Sequence, residues 1–173
     1  VARAVVALAT IAALAGCASP SGALFGQQQE ASVRSASHET RATLEMTVEK
    51  PTTLPMSQTD VELDDYPGGT LHLVRYTARV IDGVYDPHDT FSFSSYRWQG
   101  DAADGGEVSA PIFARVPECV AFDETDAAAL AAGDSIRACV LLASASSSLT
   151  RVTFDRPSIS YKNRDLGHSW RTD

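Results

Sequence analysis

Cysteine is scarce, with three in 173 residues. None forms a C-x-x-C pair, which speaks against a structural zinc site, and three are too few for a small disulfide scaffold. Positive charge is also short: 14 Lys+Arg against 22 Asp+Glu leave a net charge of −8. Such a chain lacks the basic face that phosphate recognition needs, so nucleic acid is not an expected partner. The same balance argues against peripheral docking on anionic lipid. No apolar run reaches the roughly 20 residues of a membrane-spanning helix. P-loop, GxGxxG, HExxH and GxSxG sequences are missing, which removes the common nucleotide, zinc-protease and hydrolase signatures. The four histidines are scattered without an H-x3-H pair, so neither a transition metal nor any other cofactor is expected. What remains is ordinary for one globular domain, 44% hydrophobic and 21% charged.

The N-terminal segment is different. Arg3 precedes an apolar run from Ala4 to Ala15 broken only by Thr10, the size of a signal-peptide core. The run ends in Leu14-Ala15-Gly16-Cys17, which resembles the lipobox of bacterial lipoproteins. That resemblance implies cleavage before Cys17, a diacylglyceryl group on its sulfur, and anchoring on the extracytoplasmic face of the cell membrane. Residues 1–16 are then a signal peptide. Residues 17–40, rich in Ser, Ala, Gly and Gln, read as the lipidated cysteine and a flexible tether. Leu24 and Phe25 are the only large apolar pair in that tether.

From residue 41 short alternating segments predict strands. Leu44, Met46 and Val48 alternate with acids and threonine, and Val61 with Leu63 alternates with Asp60, Glu62 and Asp64. Val74, Tyr76, Ala78 and Val80 share one face, opposite Arg75, Thr77 and Arg79. Further strands are expected around Phe91–Phe93, Ile112–Val116, Val152–Phe154 and Ile159–Tyr161, with a loop over 100–106. Residues 136–143 are apolar on both faces, as in a central strand. Asp123 as cap, the alanines of 127–132 and Gly133 as terminator predict one short helix. Seven to nine short strands with one short helix indicate a mainly β domain over 41–173, a single immunoglobulin-like antiparallel sandwich. A barrel would alternate similarly. With Cys17 assigned to lipid, export favours a disulfide between Cys119 and Cys139.

The stretch from Tyr76 to Phe154 resembles the telokin-like, immunoglobulin-type domains of secreted bacterial lipoproteins, the superfamily of the mycobacterial immunoprotective extracellular antigen. The matching elements are VRYTARV (74–80), DPHDTFSF (86–93), DAADGG (101–106), Leu130 to Gly133, and VTF (152–154). The resemblance implies a sandwich displayed outside the cell and transfers no catalytic residues.

Several residues invite chemical readings. Gly133-Asp134-Ser135-Ile136 with Asp165-Leu166-Gly167-His168 looks like the nucleophile and D-x-x-H blocks of a GDS-type esterase. Those blocks need a parallel α/β sheet, and here strands fill the short interval between them, so a turn is the better reading. Asp82, Asp86 and Asp89 with His88 are weak Ca²⁺ candidates without EF-hand spacing; a solvated turn bent by Pro87 is the plainer reading. The acids of 60–65 with Tyr66 read as a charge-protected edge strand or a docking surface. Trp98 is expected in the core. Trp170 either caps the sandwich end or is exposed as a binding anchor. The expectation is a monomeric, non-enzymatic binding module of the cell envelope, whose partner is an envelope protein or wall ligand recognised through loops 82–90 and 99–109. A structural or antigenic lipoprotein without ligand is the bland alternative.

Overall fold

The structure, a computed structural model, describes residues 22–34, 40–54, 69–88, 93, 97–109, 116–123, 127–145, 148–154 and 168–173. Among the described residues the chain forms eleven strands: β1 (Ala23–Leu24), β2 (Gln28–Arg34), β3 (Thr40–Val48), β4 (Thr52–Leu54), β5 (Thr70–Tyr85), β6 (Trp98–Ala102), β7 (Glu107–Ser109), β8 (Leu130–Ala131), β9 (Ser135–Ser144), β10 (Leu149–Phe154) and β11 (His168–Arg171). They build the expected sandwich. One half orders β2-β3-β5-β9 and the other β7-β6-β10-β11-β1. Strand β5 is the spine of the first half: β3 and β4 pair along one edge, and β9 and β8 along the other. Among the described residues the halves meet through the pairing of Ser109 with Ala143. Among the described residues all pairings are antiparallel except β1 with β11.

Strand alternation sorts side chains as the sequence indicates. Leu44, Met46, Val48, Val74, Tyr76, Ala78 and Val80 are buried between the halves, while Arg75 and Arg79 are exposed on the outside. Trp98 and Phe154 face them from the second half, their rings 4.9 Å apart, with Tyr76 4.7 Å from Trp98. Strand β9 is apolar on both faces because each face has a core. Ile136, Val140 and Leu142 join the inner one. Cys139, Leu141 and Ala143 join a smaller outer one with Leu54, Leu71, Leu73 and Val116.

Three expectations are corrected. The tether does not extend to residue 40, nor does the domain begin at 41: Gln28–Arg34 pairs with β3 throughout, and Ala23–Leu24 pairs with β11. Between them the chain passes from one half to the other, with Phe25 N donating to Arg171 O and Gly26 N to Val48 O. Phe25 packs on the main core. The short helix is absent, and no helix occurs among the described residues. A run of six alanine-rich positions is too short to sustain a helix alone, and here Leu130–Ala131 pairs with β5 instead. Gly133 still takes a positive φ, 102°, but in the turn from β8 to β9, where Asp134 Oδ2 accepts from Ala131 N. Finally, the loop expected over 82–90 starts later, because β5 runs on to Tyr85 through a bulge opposite Thr43–Leu44. Gly83 has φ 77°, and a Cβ there would lie 2.1 Å from Arg41 O, so only glycine fits.

Candidate functional site

The disulfide expected from counting is formed: Cys119 and Cys139 are bonded, with Cα atoms 5.5 Å apart. It lies on the outer face of β9 and fastens the segment carrying Val116 over the outer core. Cys17, Tyr66, Asp89, Asp165 and the segments 60–66, 110–115 and 155–167 lie outside the described residues.

The structure does not assemble the sequence candidates into one centre. Ser135 is exposed on the outer side of β9, across from Arg79. His168 opens β11 in the other half, paired with Phe154. The structure thus places the two on strands of different halves. Asp86 Oδ1 accepts from His88 N at 2.9 Å, the side-chain-to-backbone bond of an Asx turn. Asp82 lies back within β5, opposite Thr43. No cluster of three His, Cys, Asp or Glu side chains suited to a metal occurs among the described residues.

Trp170 is not an exposed anchor. It is fully buried, and its Nε1 donates to Gln27 O at 3.0 Å. Its indole closes the sandwich where the chain crosses between halves. The stretch 99–109 is a β6–β7 hairpin whose tip is 103–106, tightened by Gly106 N donating to Asp104 Oδ1.

One arrangement escapes sequence reading. Arg151 on β10 and Arg171 on β11 are direct cross-strand partners. Their neighbours Val152 and Trp170 are fully buried, so both arginines project from the outer face of the second half. Arg151 has one carboxylate nearby, Asp101 at 3.6 Å, both about half exposed. Arg171 forms no ion pair among the described residues, and its Nε is buried without a hydrogen-bond partner. Leu24 stands directly beside Arg171 on the same row. Two like charges facing each other across strands are unfavourable. Twenty residues separate them in the chain, and only the β10–β11 pairing makes them neighbours.

Comparison with solved structures settles the architecture. The fold is MPT63-like. The crystal structure of MPT63, a secreted protein from Mycobacterium tuberculosis, superimposes with a TM-score of 0.54 at 15% identity, covering 90% of this chain and 99% of MPT63. At that identity the likeness to MPT63 is one of fold. No protein-family model matches the chain, and no curated protein matches it.

Proposed function

We propose that this protein is a lipid-anchored lipoprotein of the cell envelope, held through Cys17, whose extracytoplasmic sandwich is a monomeric, non-enzymatic binding module. The observation that carries the reading is the pairing of L-A-G-C at the end of a signal-like apolar run with a fold shared with a secreted protein. A disulfide-bonded sandwich suits an oxidising, extracytoplasmic setting. The separation of Ser135 from His168 on different halves supports a binding role over hydrolysis.

The test is fractionation of cells fed an alkyne-tagged fatty acid. Wild type is expected in the membrane fraction carrying the tag. Cys17→Ala is expected untagged and released from membranes. Retention of the tag in Cys17→Ala would overturn the anchor.

A further inference from the structure

We propose that the Leu24–Arg171–Arg151 row is a membrane-facing surface whose two arginines grip the phosphates of anionic lipid headgroups. This rests on the lipidation of Cys17 proposed above. Ala23, the first residue of the sheet, follows Cys17 by six positions, a reach of about 20 Å even when fully extended. The anchor therefore joins the domain at the β1–β11 edge and keeps that edge within about 20 Å of the bilayer. Leu24 and Arg171 are register partners there, and Arg171 and Arg151 are partners one strand further in. An apolar side chain and two guanidiniums thus line up from the point of attachment inward.

The charges on this row call for an anion. Asp101 lies on the far side of Arg151, away from Arg171, and no carboxylate answers Arg171 among the described residues. With its Nε buried, Arg171 has its terminal nitrogens to offer. A phosphate oxygen bridging two guanidiniums relieves their repulsion by charge-assisted hydrogen bonds. The net charge of −8 excludes recruitment of the whole domain by anionic lipid. It does not oppose local orientation, because charges beyond a Debye length of about 8 Å are screened, and the anchor already supplies a high effective concentration.

The experiment uses the full lipidated protein in vesicles of phosphatidylcholine alone or with an equal part of phosphatidylglycerol. Arginines are modified with phenylglyoxal and their rates read by mass spectrometry. In phosphatidylglycerol vesicles Arg151 and Arg171 should react about fivefold more slowly than in phosphatidylcholine, the factor expected for an arginine at an anionic surface. Arg75, Arg79 and Arg137, exposed on the outer face of the opposite half, should react equally in both and serve as controls. Equal rates at Arg151 and Arg171 in the two vesicles, with the protein co-floating, overturn the docking alone. Protection reproduced by inorganic phosphate over phosphatidylcholine vesicles also overturns it, in favour of a small-anion site. Protein that fails to co-float with either vesicle overturns the lipid anchor, and the docking with it.

Discussion

The two faces of strand β9 are closed in different ways. The inner face, with Ile136, Val140 and Leu142, is covered by the whole second half of the sandwich and its aromatic side chains, Trp98 and Phe154 among them. The outer face, with Cys139, Leu141 and Ala143, is covered among the described residues by few side chains, Leu54 from β4 and Val116 among them. There a covalent bond from Cys119 supplements packing. Leu141 and Leu142 are chain neighbours and almost equally buried, at 5% and 0% exposure. Yet one belongs to a broad noncovalent core and the other to a small patch held by a cross-link. The contrast shows that burial alone does not say what keeps a residue buried.

Substitutions can break that contrast, read by urea denaturation. Trp98→Ala empties the centre of the inner core and should lose about 3–5 kcal/mol. Trp98→Phe should lose much less, because Trp98 Nε1 makes no hydrogen bond among the described residues and an aromatic ring remains. Removing the cross-link as Cys119→Ser with Cys139→Ser should lose about 3 kcal/mol, for a closed loop of about 20 residues. Leu141→Ala should lose about 2–3 kcal/mol with the disulfide intact. In the disulfide-free background it should lose less, since its cover is already loosened, whereas Leu142→Ala should lose the same in both. An equal loss for Leu141→Ala in both backgrounds would show that the outer core packs without the cross-link. The smallest effect concerns the β8–β9 turn beside this strand: Asp134→Ala removes the acceptor of Ala131 N and should lose about 1 kcal/mol.

Strands β3 and β5 were legible beforehand from a period of two in apolar residues, and β9 from a run apolar on both faces, since both patterns are properties of the chain itself. Strand β2 was not. Gln28–Arg34 contributes only Ala31 and Val33 to the core and reads as polar linker until β3 is beside it. The alanines before Gly133 carry a helical preference that pairing with β5 overrides. Of the candidate site, the Leu24–Arg171–Arg151 row was invisible, because its members come from β1, β11 and β10. The overall acidity argued against lipid contact, but net charge is a sum over the chain and says nothing of where two cations meet.

The sequence by itself determined that the domain is β-rich, which residues of the long strands face inward, and that Cys119 and Cys139 are the pair left for a disulfide. These follow from local periodicity and from counting. Tertiary structure decided that residues 23–24 and 28–34 belong to the sheet, that Trp170 is buried rather than offered to a partner, and that two arginines stand side by side next to the first strand. Each of those depends on pairing between segments far apart in the chain, and register between distant strands is set by packing that no local pattern encodes.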